Sequence, residues 1–126
     1  MARRAITFDT VRKLALALPG VVESKAYGSP ALKVRGKLLA CLAIHRSAEP
    51  GSLVVCVDFD VRAKLLAAFP DIYYVTDHYD PYESVLVRLS QVSPVILRDL
   101  LGMAYKFVLQ KTRVRPRKRR SLSQLD

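Results

Sequence analysis

The chain has 126 residues, with 21 Lys and Arg against 11 Asp and Glu, and 51% of its residues are hydrophobic. That apolar content is enough for one folded core without disulfides or metal, which excludes a chain that is disordered throughout. The longest unbroken apolar run, residues 38–44, is far shorter than the roughly 18 residues of a membrane-spanning helix. The first residues also lack the apolar stretch of a secretory signal, so we expect a cytoplasmic protein that does not enter a membrane.

Near the start of the chain, the spacing of apolar residues predicts a helix over residues 8–18. The hydroxyl of Thr7 stands where it would accept a hydrogen bond from an orphan amide of the first turn. Four short extended runs follow, separated by turn residues; they cover residues 22–27, 31–34, 37–44 and 53–57. Arg35-Gly36 makes the tightest of these turns.

The second half of the chain predicts two more helices. One begins at Asp58 or Asp60 and runs through Phe69, with a buried stripe formed by Val61, Leu65, Ala68 and Phe69. Two further strands follow, over residues 72–75 and 84–89. A last helix begins after Ser93, the predicted N-cap, and continues to about Leu109, beyond which the charge density is too high for burial.

The predicted element order is therefore α-β-β-β-β-α-β-β-α. Short turns between neighbouring strands imply antiparallel pairing. We predict a single α+β domain in which helices pack on one face of a mostly antiparallel sheet. This domain would cover residues 1–110, and residues 111–126 would form a basic, flexible C-terminal tail.

The net charge of +10 is concentrated in that tail. Residues 111–126 hold seven basic groups against one acid, or +6, whereas residues 1–110 hold 14 basic and 10 acidic groups, or +4. The seven basic residues are Lys111, Arg113, Arg115, Arg117, Lys118, Arg119 and Arg120. Such a run is suited to neutralising a polyanion without reading its sequence, and a solubilising or targeting tail is the alternative.

Four basic residues of the body lie at two predicted turns. Lys33, Arg35 and Lys37 alternate with apolar residues around the first turn, so their charges should face away from the core. Arg46 lies in the next loop along the chain. Two projecting turns with basic ends would straddle a phosphate backbone, and the alternative is that basic residues on strand edges only prevent aggregation.

The densest cluster of polar and aromatic residues is YYVTDHYDPYE, residues 73–83. Asp77 beside His78 is the pair in which a general base would be sought. Neighbouring residues of an extended segment point to opposite faces, however, so we predict a polar connector and not a catalytic pair.

The two cysteines give a prediction about strand register. If the third and fourth strands form a hairpin with Ile44 opposite Leu53, then Cys41 lies directly opposite Cys56. In a reducing compartment we expect buried thiols at these positions and no redox role. Their spacing relative to the two histidines matches no closed zinc site, so we expect no metal and no cofactor.

Four segments of the chain resemble the MmcQ/YjbR family in their order and spacing. They are LPG at 18–20, YGSPALKVRGK at 27–37, YVTDHY at 74–79 and VLVRL at 85–89, within a match that covers residues 7–109. The resemblance implies a CyaY-like α+β fold and a DNA-binding role. It also implies a double wing made by the two basic turns. The recurrence of the His78-Tyr79 position implies a ligand site, for which the candidate residues are Tyr27, Asp77, His78, Tyr79 and Tyr82.

The frataxin group shares that fold and uses an acidic ridge for iron. The first helix of this chain offers only Asp9 in that region and carries Arg12 and Lys13. The resemblance therefore does not extend to iron binding.

We accordingly predict a non-enzymatic protein that binds DNA, with RNA as the other nucleic-acid partner to consider. The basic turns would orient the body, and the tail would supply most of the electrostatic attraction. The alternative is a module that binds a small molecule or a protein at the residue 73–83 cluster, and an enzyme is the third hypothesis. The sequence leaves the oligomeric state open.

Overall fold

A computed structural model describes residues 6–26 and 28–114, with side chains through Thr112. Its elements are α1 (Phe8–Leu16), β1 (Val21–Ala26), β2 (Ser29–Val34), β3 (Lys37–Leu42), β4 (Ser52–Cys56), α2 (Phe59–Ala68), β5 (Tyr73–Tyr74), β6 (Ser84–Arg88) and α3 (Pro94–Val114). This order confirms the predicted one, and the chain folds as a single α+β domain.

The six strands form one antiparallel sheet in the order β1-β2-β3-β4-β6-β5. Each of the first four strands pairs with its neighbour in the sequence, and only the exchange of β5 and β6 departs from chain order. A two-residue turn joins β2 to β3, with positive φ angles of 53° at Arg35 and 76° at Gly36. Positive φ at both central residues matches the right-handed twist of a hairpin, which confirms the predicted tight turn.

All three helices cover the same face of the sheet, which we call the helix face. Val11 and Ala15 of α1 and Leu101 of α3 are buried there against strand residues such as Val55 and Val85. The apolar side chains of α3 recur at helical spacing, so one stripe of this long helix meets the sheet along its length. The predicted packing of helices on one face is confirmed.

A β-bulge in β3 breaks the regular alternation of side chains. Leu32 pairs with Ala40 and Lys33 pairs with Leu38, so that Leu39 has no partner on β2. Leu39 and Ala40 consequently both face the helices, while Leu38 lies on the opposite side. An extra residue of this kind locally rotates the strand, and here it adds one leucine to the main core.

Three details of the first two predicted helices are wrong. α1 ends at Leu16, and the Thr7 side chain forms no capping bond; its backbone carbonyl accepts from Val11 N–H instead. In α2 no residue is fully buried, and both Ala68 and Phe69 are exposed, because this helix covers only the short strand β5 and its neighbour β6.

The C-terminal helix is longer than predicted. Ser93 does cap α3, since its hydroxyl oxygen accepts from Ile96 N–H at 3.2 Å. The helix then continues past Leu109 to Val114, so residues 111–114 of the predicted tail are its last turn. No helix in the described part of the chain has both the length and the apolar content needed to cross a membrane.

The two helix starts predict different costs of substitution. Asp58 accepts a hydrogen bond from Val61 N–H at 2.7 Å, whereas the Thr7 side chain accepts none at its helix start. We therefore expect Asp58→Ala to lower the free energy of unfolding by about 1 kcal/mol. Thr7→Ala should change it by less than about 0.5 kcal/mol. Urea unfolding followed by circular dichroism would measure both, and equal losses would contradict the assignment of the caps.

Candidate functional site

The sheet face away from the helices, which we call the open face, carries a second and smaller apolar cluster. Its buried members are Ala31, Cys41, Val54 and Leu86, one from each of β2, β3, β4 and β6. Two irregular segments lie over this face: the β3–β4 loop, residues 43–51, and the connector between β5 and β6, residues 75–83. No helix contributes to this cluster among the described residues, so its cover comes from the loop and the connector.

A groove of about 1230 Å³ runs over the open face and also reaches two helices, since Phe59 of α2 and Phe107, Val108 and Lys111 of α3 line it. Its lining combines an apolar floor with aromatic rings and a few charged groups; it includes Lys37, Leu38, Cys41, His45, Arg46, Val54, Cys56, Phe59, His78, Tyr79, Tyr82, Ser84, Phe107 and Lys111. Pockets for single small ligands commonly measure roughly 300–1,000 Å³, so this groove is large enough for an extended ligand.

The β3–β4 loop and the connector hold each other in place above the groove. The rings of His45 and His78 stack with their centroids 3.6 Å apart and their planes within 6°. The Tyr79 hydroxyl accepts from His45 N–H, and a 2.8 Å hydrogen bond joins the hydroxyls of Ser47 and Thr76. The partner of the predicted His78-Tyr79 position is therefore His45, which lies more than thirty residues earlier in the chain.

The hydrogen bonds of His45 determine its tautomer. Its Nδ1 accepts a 3.0 Å hydrogen bond from Ser47 N–H, so the neutral ring carries its proton on Nε2. Partial burial lowers the pKa of His45, and the nearby His78 and Arg46 lower it further. The neutral imidazole is thus the form that the native contacts favour.

The predicted ligand-site residues do not all reach the groove. His78, Tyr79 and Tyr82 line it. Asp77 is exposed, does not line the groove and makes no hydrogen bond with His78, so the two do not form a carboxylate–imidazole pair. Tyr27 lies outside the described residues. Among the residues described, no three His, Cys, Asp or Glu side chains are grouped closely enough to hold a metal ion.

The predicted basic turns lie at opposite ends of β3. Arg35 is in the turn before this strand and Arg46 is in the loop after it, and the six residues of the strand separate the two ends by about 17 Å. The turns are therefore not side by side. Lys37 and Arg46 nevertheless line the same groove, and the pairing of Lys33 with Leu38 directs Lys33 to the open face as well.

The C-terminal helix α3 brings further basic and polar groups to the end of the groove at which Lys37 lies. Lys111 lines the groove, where its ammonium bonds a Glu83 carboxylate oxygen at 2.9 Å. Arg35 donates to the hydroxyl of Thr112 at 3.5 Å. The remaining predicted tail cations lie outside the described part; they are Arg115, Arg117, Lys118, Arg119 and Arg120, together with the side chain of Arg113.

The predicted register of the cysteines is wrong by two residues. Leu42 pairs with Leu53, so Cys41 lies opposite Val54 and not opposite Cys56. The reason is that β3 ends at Leu42, which makes the loop to β4 longer than the sequence pattern suggested. Both thiols are free, and burial raises the pKa of each to about 11.

The histidine stack predicts a pH dependence. The native pKa of His45 lies below its ordinary 6.5, so the unfolded chain takes up a proton on this ring at a higher pH than the native protein does. The native state therefore has its full stability above pH 6.5 and loses stability as the pH falls from 6.5 through the native pKa. We expect the urea midpoint to fall over this range, and to fall less in His45→Gln. In His78→Gln, an NMR titration should show the pKa of His45 moving up towards 6.5. A His45 that titrates above 6.5 in the native protein would contradict this interpretation.

The cysteines predict low reactivity. With pKa values of about 11, the two thiols are thiolates in roughly one molecule in a thousand near pH 8, and the thiolate is the reactive form. We expect iodoacetamide to modify Cys41 and Cys56 about 100-fold more slowly in the native protein than in urea. Mass spectrometry would measure both rates, and equal rates would contradict the burial of the thiols.

Comparisons with known proteins agree with this fold. The YjbR family model matches residues 16–107. Uncharacterized proteins of Mycobacterium tuberculosis and Mycobacterium bovis are 30% identical to this chain over 113 residues, which cover 79% of this chain and 85% of theirs. The crystal structure of a Deinococcus radiodurans protein with a DUF419 domain has a similar fold, with a TM-score of 0.70 at 24% identity over 89% of this chain and 85% of that one. As its sequence motifs predicted, the chain belongs to the YjbR family.

Proposed function

We propose that this protein binds nucleic acid, with DNA as the expected partner, and that cations of the open face contact the phosphate backbone. The observation that carries this proposal is that the cations of the two basic turns lack carboxylate partners, whereas several other cations have them. Several described cations form ion pairs with carboxylates: Arg12, Lys13, Arg62, Arg88, Arg98 and Lys111. The four cations of the two basic turns form none with any described residue: Lys33, Arg35, Lys37 and Arg46. Lys25, Lys64 and Lys106 form none either, but they do not line the groove, whereas Lys37 and Arg46 do.

An unpaired cation is suited to bind phosphate because no internal partner has to be displaced first. Lys111 is the exception at this site, since it would exchange Glu83 for a phosphate. Both side chains of that pair are partly exposed to solvent, and such ion pairs stabilise a protein by only about 0–1 kcal/mol. The exchange would therefore cost little.

The distance between the two basic ends favours an elongated anion. Lys37 is the first residue of β3, and Arg46 lies in the loop that follows its last residue, Leu42; the strand itself is about 17 Å long at roughly 3.3 Å per residue. A polyanion with regularly spaced phosphates would reach both ends, whereas a compact anion would reach one. The +6 charge of residues 111–126 adds a sequence-independent attraction from the end where α3 finishes.

The proposed location is the cytoplasm. Cys41 and Cys56 are both free thiols on neighbouring strands. Free thiols are expected in a reducing compartment, where disulfides rarely persist.

A second candidate function is a small-molecule or protein-binding module that uses the same groove. The observation in its favour is that His78, Tyr79 and Tyr82 line a concave surface with an apolar floor. Pockets of this kind bind ligands through apolar contact and a few polar groups. Such a module would bind its ligand with little dependence on salt, which separates it from a protein that neutralises phosphates.

Salt dependence tests the proposed function. Arg35→Ala with Lys37→Ala removes two charges near the groove, and Lys64→Ala with Lys106→Ala removes two unpaired charges that do not line it. For duplex DNA, we expect the first pair to lower the slope of log K against log salt by about 2, and the second pair to leave it unchanged. Fluorescence anisotropy at several salt concentrations would measure both slopes.

Three results would contradict the proposal. Equal effects of the two double variants would mean that only the net charge matters, and that the basic turns make no defined contact. Absence of binding to both duplex and single-stranded DNA at about 50 mM salt would favour the module that binds a small molecule or a protein. A loss of binding seen only after deletion of residues 115–126 would confine the interaction to that segment.

A further inference from the structure

We propose that the open-face groove accommodates the unpaired bases of a single-stranded nucleic acid, so that the protein binds a single strand more tightly than a duplex of the same length. The inference rests on the proposed nucleic-acid binding and specifies which form of nucleic acid the groove accepts.

The first observation is a buried hydroxyl without a partner. Ser84 is 4% exposed and lines the groove, yet its side chain forms no hydrogen bond with any described residue. Buried polar groups in folded proteins nearly always have a hydrogen-bond partner, so a hydroxyl of this kind requires one from water or from a ligand. Cys56, its direct partner across β4 and β6, also lines the groove and adds a neutral thiol to the floor.

The second observation is an exposed aromatic rim. The side chain of Tyr82 is 61% exposed at the edge of the groove, and Phe59 beside the same groove is 44% exposed. Rings in such positions offer flat apolar surfaces to a ligand. The bases of a single strand stack on aromatic side chains, whatever the base, because every base has a π-face.

These two features distinguish a single strand from a duplex. In a duplex the Watson–Crick edges of the bases are paired and the base faces are stacked on their neighbours, so neither is available to Ser84 or Tyr82. An extended single strand exposes both, and its backbone would run from the Lys37 end of the groove to the Arg46 end with its bases turned towards the floor. A combination of basic groups along the backbone path and aromatic rings under the bases is typical of single-strand binding sites.

The test compares single-stranded and duplex DNA on the full chain. We would measure anisotropy with a labelled oligothymidylate of about 12 nucleotides and with a duplex of equal length, near the site size of single-strand binding folds. We expect tighter binding of the single strand. Tyr82→Ala should weaken it by about 5- to 100-fold, and Tyr82→Phe, which keeps the ring, should restore most of the affinity. Phe69→Ala is the matched control, because Phe69 is 51% exposed but does not line the groove.

A second variant tests the floor of the groove. Ser84→Ala should weaken binding of the single strand several-fold and leave duplex binding unchanged, because only an unpaired base reaches the hydroxyl. Thermal unfolding of each variant, followed by circular dichroism, would show that a loss of affinity is not a loss of fold.

The outcomes separate this inference from the proposed function. Equal affinity for the two forms of DNA, or a Tyr82→Ala variant that binds the single strand as the unchanged protein does, would overturn the inference and leave nucleic-acid binding intact. Thymidine monophosphate that binds as tightly as the oligomer would also overturn it, since the groove would then recognise one nucleotide and not a strand. If neither form of DNA binds at about 50 mM salt, the proposed function itself fails.

Discussion

The bulge in β3 is the constraint on which the arrangement of the rest depends. Regular alternation would send Leu39 and Ala40 to opposite faces of the sheet, but the unpaired residue places both against the helices. The same bulge leaves Leu38 and Cys41 on the open face. One local irregularity therefore enlarges the main core and, at the same time, sets the floor of the groove.

Much of the fold could be predicted because its signals are local. The tight turn at Arg35-Gly36, the Asp58 cap and the strong apolar stripe of α3 each depend on residues close together in the chain. The register of Cys41 could not be predicted in this way. Period-two alternation assumes uninterrupted pairing, and no residue near Leu42 marks where the strand ends.

The candidate site was predicted in parts but not as a whole. The sequence pointed to Arg46 and to His78 separately, whereas their common groove follows from the exchange of β5 and β6, which carries the connector across the open face. The stack of His45 on His78 joins segments that no motif links. One signal was available: consecutive hairpin turns lie at opposite ends of the strand between them, so the two basic turns were never adjacent.

The separation of the two apolar clusters has a consequence for how this protein can diverge. The helix-face cluster contains most of the buried residues, including Leu97 and Leu101, and none of these belongs to the smaller cluster beneath the groove. Leu97 and Leu101 lie on α3, across the sheet from the smaller cluster, and substitutions at sites without shared contacts act nearly additively on stability. An evolving lineage can therefore remodel the groove, residue by residue, while the helices that cover the other face stay under separate selection.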